Sequence, residues 1–132
     1  MYQEYFLTFV ALIVIAFIFL LNVFIFDATS IIKKQQPGFP IEPNHESFLF
    51  RSHRALSNLN ETLSLFLILA FVGILMQVNS NWLGFSALVY SISRFLYVVC
   101  YLFNIKLMRS MCFGIGLLAL CCMFVVNVFY LI

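Results

Sequence analysis

Two polar stripes interrupt the apolar helices of this chain. Arg51, Arg54, Asn58 and Glu61 form the first, and Tyr90, Arg94, Tyr97 and Tyr101 form the second. Offsets of three and four residues put each set on one helical face. Arginines and tyrosine hydroxyls hold carboxylates, and a glutamate offers an acceptor to an ammonium group. A peptide-like zwitterion, with both carboxylates and an amine, would satisfy the whole set. Arg109, beside Ser110 at the start of a later helix, has the chemistry to stabilise an anion such as a thiolate, with helix-end amides contributing. The competing reading is structural: Glu61 pairs with Arg94 or Arg54, and the network ties helices together at roughly 0.6–2 kcal/mol per polar pair. The residue types alone leave both readings open.

The medium around these residues sharpens the question. The chain is 64% hydrophobic and 9% charged, with a mean hydropathy of +1.08. A charge at the centre of a bilayer costs about 2.5–3.5 kcal/mol on insertion scales, so it must be paired or functional. Apolar runs cover residues 5–26, 62–76, 82–103 and 111–132. A bilayer core about 30 Å thick needs about 20 helical residues. The second run falls short unless its helix begins upstream, which carries Asn58 and Glu61 into the membrane. The expected spans are therefore residues 3–34, 46–78, 82–104 and 108–131. The runs are continuous rather than alternating, which argues against a β-barrel. The fold class expected is an all-α integral membrane protein, a four-helix up-down bundle, and 132 residues leave room for one domain. The first run carries Glu4 and no basic residue before it and exceeds a signal-peptide core, so it reads as a retained span.

The charges also orient the bundle. Lys33, Lys34, Arg51 and Arg54 lie around the first connection, and Lys106 and Arg109 around the third. The second connection, residues 77–81, has no basic residue. The positive-inside rule then places connections one and three in the cytoplasm, with both termini on the opposite side. With that topology Arg54, Asn58, Glu61, Tyr97, Tyr101 and Arg109 converge in the cytoplasmic half of the bundle. A net charge of +2 is too small to suggest nucleic acid.

Local signals complete the outline. Lys33 and Lys34 suit the negative end of helix one. Pro37, Pro40 and Pro43 with Gly38 break the chain after it, and Asn44 is the expected N-cap of helix two. Residues 79–81 make a tight turn, and Trp82 fits an interfacial anchor. Cys100, Cys112, Cys121 and Cys122 show neither metal spacing nor a disulfide framework and read as buried free thiols; Cys112 lies one turn from Arg109. His45 and His53 lack partners at metal spacing, so no metal is expected. The Asn60-Glu61-Thr62 sequon lies at membrane depth, where no glycan is expected. Gly114 and Gly116 do not make a GxxxG motif, although they permit close helix approach.

Arg51-Ser-His-Arg54-Ala55-x-x-Asn58-x-x-Glu61-x-x-x-x-Phe66 resembles the second-helix signature of the MAPEG family, the membrane-associated proteins in eicosanoid and glutathione metabolism. Ser93-Arg94-x-x-Tyr97-x-x-x-Tyr101, followed by Arg109-Ser110, is similar to the same family. These motifs cover residues 48–115. The resemblance implies a homotrimer in a bacterial inner membrane or an endoplasmic-reticulum-type membrane, with glutathione bound between subunits near the cytoplasmic face. It implies that Arg51, Arg54, Asn58 and Glu61 hold the polar ends of glutathione and that Tyr97 and Tyr101 add hydroxyl contacts. Arg109, with Ser110, would stabilise the thiolate for attack on a lipophilic electrophile arriving from the bilayer, in a transferase or peroxidase reaction. Arg94 is expected to be a structural ion-pair partner of Glu61. Two positions depart from the family pattern: Ser57 stands where some members place an arginine, and Phe113 where some place a tyrosine. A member without catalysis, serving as a binding or structural protein, is the first alternative. A small oligomeric transporter is the second, disfavoured because the outer half has no continuing charged route.

Overall fold

The computed structural model describes residues 3–132, and its four helices are α1 (Phe6–Ile32), α2 (Phe48–Leu75), α3 (Ser80–Leu102) and α4 (Lys106–Leu131). The shortest, α3, has 23 residues, about 35 Å at 1.5 Å per residue, so every helix is long and apolar enough to cross a bilayer. No strand occurs among the described residues. The chain is an all-α integral membrane protein.

α3 sits at the centre. It packs against α4, α1 and α2, whereas α1 and α4 make no mutual contact among the described residues. Small residues admit the backbones to one another. Gly84 of α3 lies against Leu7 and Thr8 of α1, and Gly116 of α4 against Ser93 and Arg94 of α3. Ala11, Ile15, Leu59, Phe66, Ala70, Leu83, Ala87, Leu120 and Met123 fill the centre, and Phe17, Phe24, Ile68, Phe71, Phe85 and Phe129 point outward. Small residues at the helix crossings and hydrogen-bonded polar groups between helices are what lipid favours, because packing and hydrogen bonds rather than hydrophobicity hold membrane helices together. Ser91 Oγ donates to the Ala11 carbonyl at 3.0 Å, and Asn127 Nδ2 donates to the Leu69 carbonyl at 2.9 Å. Tyr5, at the start of α1, donates to the Val78 carbonyl at 2.7 Å and pins that end of the bundle.

Three helices stop in the same way. After α1, Lys34 takes φ 52° while Gln35 N–H bonds the Ser30 carbonyl and Lys34 N–H the Ile31 carbonyl. Gln77 after α2 and Asn104 after α3 repeat the positive φ and the paired bonds, at 54° and 60°. This Schellman closure satisfies carbonyls that a helix end leaves open and turns the chain sharply. It ends three spans earlier than expected: α1 stops at Ile32, so Lys33 and Lys34 fall just beyond it, α2 at Leu75 rather than residue 78, and α3 at Leu102 rather than residue 104.

The start of α2 also differs from expectation. Ser47, not Asn44, precedes the first helical residue. Asn44 uses its side chain locally, accepting from Glu46 N–H at 2.9 Å, while Ser47 N–H bonds the Asn44 carbonyl. An asparagine that closes a turn on its own backbone cannot also open the helix that follows. Asn79 does cap α3, accepting from the N–H groups of Asn81 at 3.1 Å and Trp82 at 3.3 Å.

Candidate functional site

The connections α1–α2 and α3–α4 lie at the same end of the bundle, and the polar stripes meet there in two tiers. The outer tier gathers Asn58 of α2, Tyr97 and Tyr101 of α3 and Arg109 of α4. Asn58 Nδ2 donates to the Tyr97 hydroxyl in a short, buried hydrogen bond. The rings of Tyr97 and Tyr101 lie 5.7 Å apart, and the Arg109 guanidinium sits 4.4 Å above the Tyr101 ring. Ala55, fully buried, forms the floor with Cys100 and Cys112.

The second tier is one to two turns deeper. Thr62 Oγ1 and the Tyr90 hydroxyl share a hydrogen bond at 2.9 Å, and the Tyr90 ring stacks on Phe66 at 4.4 Å. Arg94 is fully buried here. Its guanidinium lies 4.8 Å from the centre of the Phe113 ring, 5.2 Å from Tyr90 and 5.7 Å from Tyr97. None of its three nitrogens has a hydrogen-bond partner among the described residues. A cation enclosed by ring faces is held by their quadrupoles, by about 2 kcal/mol or more once desolvated.

The expected Arg94–Glu61 ion pair does not form within one chain. Glu61 lies on the exposed face of α2, while Arg94 is turned toward α4, where Gly116 leaves it room. Arg51 is also differently engaged. Its Nε donates to the Leu102 carbonyl at 3.1 Å, and its Nη1 to the carbonyls of His45 at 2.6 Å and Glu46 at 2.9 Å. Arg51 therefore ties the approach to α2 onto the end of α3. Ser110 is exposed and its hydroxyl turns back toward the Lys106 carbonyl at 3.5 Å, away from the tyrosines. Arg54 is half-buried on the turn before Asn58. The structure thus brings Asn58, Tyr97, Tyr101 and Arg109 together, with Arg54 alongside, and leaves Arg51 and Ser110 with other partners.

Two contributors were not anticipated in these roles. Thr62 extends the first stripe one turn beyond Asn58, a continuation visible in its spacing. Phe113 supplies the ring nearest Arg94 and stands 6.0 Å from Tyr97. The short α3–α4 connection fixes which residues of the two helices face each other, and that register is the signal for Phe113.

One atom in the outer tier is unsatisfied. Arg109 Nη1 is buried without a hydrogen-bond partner among the described residues. A buried charged donor left open costs more than a neutral one, and an anionic ligand would complete it. No group of His, Cys, Asp and Glu suited to a metal ion occurs among the described residues.

No curated protein and no solved structure is matched by the chain. The sequence profile of the MAPEG family matches residues 5–129, nearly the full length, and covers all four helices. With four apolar helices and the tyrosine–arginine cluster at one end, the chain belongs to the MAPEG family, the membrane-associated proteins of eicosanoid and glutathione metabolism.

Proposed function

We propose that this protein is a membrane-bound glutathione transferase that conjugates glutathione to a lipophilic electrophile drawn from the bilayer. The observation that carries the reading is the buried, unpartnered Nη1 of Arg109 beside the Tyr97–Tyr101 pair. Asn58, Arg54 and Glu61 would hold the polar ends of the tripeptide, and the tyrosine hydroxyls would orient it. Arg109 would face the sulfur. A cation beside a thiol favours the thiolate, which is the nucleophile. The thiolate then forms a carbon–sulfur bond as the leaving group departs with its electron pair, and the thiol proton passes to solvent.

The proposed assembly is a homotrimer with the site between copies. Its support is the outer face of α2, where Glu61, Leu65, Ile68, Val72 and Leu75 are all exposed in a single chain. Their alternating spacing of four and three residues is that of a helix–helix seam. A carboxylate facing lipid would be costly, and a neighbouring copy would cover it.

The test is conjugation of glutathione to a chlorinated nitrobenzene by the detergent-purified protein, with thiolate absorbance followed in parallel. Wild type is expected to bind and turn over. Arg109→Ala is expected to lower the conjugation rate by about 100-fold, the loss typical of removing one preorganised charge-stabilising donor. Neither binding nor turnover in wild type would sink the reading. Equal rates in wild type and Arg109→Ala would remove Arg109 from the chemistry.

One observation favours a second reading, a glutathione-binding protein without catalysis. The Ser110 hydroxyl turns back to its own helix, and Phe113 places a ring without a hydroxyl beside Tyr97. Binding without turnover in the same assay would select it.

A further inference from the structure

α3 and α4 form a hairpin whose cross-helix contacts keep one register. Ser93 and Arg94 meet Gly116, Tyr97 meets Phe113, and Tyr101 meets Arg109. Cys100 and Cys112 stand within two residues of that register. Both are buried in one cluster with Ala55, Tyr97 and Tyr101. Cys121 and Cys122 are exposed farther along α4. The helices are close at this level. A Cβ on Gly116, one turn from Cys112, would come within 2.6 Å of Ser93 Oγ. Close approach matters because a disulfide needs Cα atoms about 4.4–6.8 Å apart, nearer than most helix pairs allow. An apolar groove of about 250 Å³ between α3 and α4, lined by Val89, Ile92, Ser93, Leu96 and Ile115, reaches Cys112 from the lipid side, so a water-soluble oxidant must come from the outer tier, where Tyr97 and Tyr101 adjoin both cysteines.

We propose that Cys100 and Cys112 are a redox pair that closes to a disulfide cross-linking α3 to α4. The oxidant is a small disulfide of the glutathione disulfide class. One cysteine thiolate attacks a sulfur of glutathione disulfide, breaking its S–S bond and expelling a glutathione thiolate. The second cysteine thiolate attacks the protein sulfur of that mixed disulfide and expels the other glutathione. The protein loses two electrons and two protons, and glutathione disulfide gains them as two thiols. Arg109 stands one turn before Cys112, and Tyr97 and Tyr101 bracket Cys100, so the cross-link shifts the outer tier. Its effect on catalysis rests on the transferase reading given above.

The purified full-length protein is equilibrated with glutathione disulfide, denatured with alkylation, and mapped by peptide mass spectrometry without reduction. Of four cysteines, two are expected to lose their free thiols, in a Cys100–Cys112 linked peptide pair. Cys100→Ser and Cys112→Ser are each expected to lack that cross-link. The double variant Cys121→Ser, Cys122→Ser is expected to keep it. Four free thiols after oxidation, a cross-link through Cys121 or Cys122, or glutathione left on both Cys100 and Cys112 would each overturn the proposal. This readout needs no turnover, so it stands or falls apart from the transferase reading. In active protein, oxidation is expected to slow conjugation by about 10-fold or more, since small misplacements of positioning groups cost at least that. Thiol reductant is expected to restore the rate, and Cys112→Ser to be insensitive to the oxidant. Unchanged activity in fully cross-linked wild type would overturn the regulatory part.

Discussion

Arg94 is held by rings from two helices, Tyr90 and Tyr97 of α3 and Phe113 of α4, with no carboxylate partner among the described residues. That environment distinguishes two substitutions that an ion pair would rank the other way. A lysine ammonium is compact and strongly hydrated, and it cannot lie flat across three rings as a guanidinium does. Methionine fills similar volume without a charge to desolvate, and replacing buried charges by apolar groups is often neutral or better. Thermal melts in detergent are therefore expected to rank Arg94→Met above Arg94→Lys, with Lys lower than wild type by about 2 kcal/mol, the scale of a desolvated cation–π contact. A Lys variant more stable than the Met variant would restore the ion pair with Glu61. The sequence displayed both stripes plainly, because spacing reveals which residues share a face of one helix. It did not display the ring cage, because Phe113 is apolar and joins the cation only across the α3–α4 hairpin. Arg51 was likewise visible as a charge, while its partners, the carbonyls of His45, Glu46 and Leu102, belong to backbone that has no residue-type signal.

At the scale of helices, the closeness of α3 and α4 rests on Gly116 rather than on Gly114, two residues earlier. A Cβ at Gly116 would stand 2.6 Å from Ser93 Oγ, 3.1 Å from Arg94 Nη2 and 3.2 Å from Arg94 Nε, whereas one at Gly114 meets nothing within 4 Å. Gly116→Ala is expected to cost about 1–3 kcal/mol, the usual penalty for overpacking a tight contact. Gly114→Ala is expected to be neutral, or more stable by up to about 1 kcal/mol through lost backbone entropy in the unfolded chain. Equal melting temperatures for the two variants would show that α4 does not depend on this contact. The helices themselves were legible from the four apolar runs, since a bilayer demands both length and continuity. Their ends were less so. Lys34 and Gln77 adopt the left-handed conformation without being glycine, and asparagine at 104 is the one residue of the three whose type hints at it. Asn44 signalled a cap but closed its own turn, because a short polar side chain serves whichever N–H the local backbone brings nearest.

Over the whole molecule, Lys33, Lys34, Arg51, Arg54, Lys106 and Arg109 lie at or near the end that carries the α1–α2 and α3–α4 connections. Arg94 is the seventh basic residue and is buried. The opposite end offers Glu4, Gln77, Asn79, Ser80 and Asn81, with no Lys or Arg. Insertion bias follows Lys and Arg in short loops, so the basic end is expected to face the cytoplasm and Ile132 the other side. In a bacterial host, alkaline phosphatase fused after Ile132 is then expected to be active, and green fluorescent protein at the same position dark. The reverse pattern would overturn the orientation. It would also bear on function. Glutathione is the thiol buffer of the cytosol, and the Asn58–Tyr97–Tyr101–Arg109 cluster lies toward the basic end. With that end facing away from the cytosol, the cluster would have lost its supply of the proposed substrate. Orientation and ligand are thus independent measurements that must agree, and a bright C-terminal fluorescent fusion combined with glutathione binding in detergent would set them against each other.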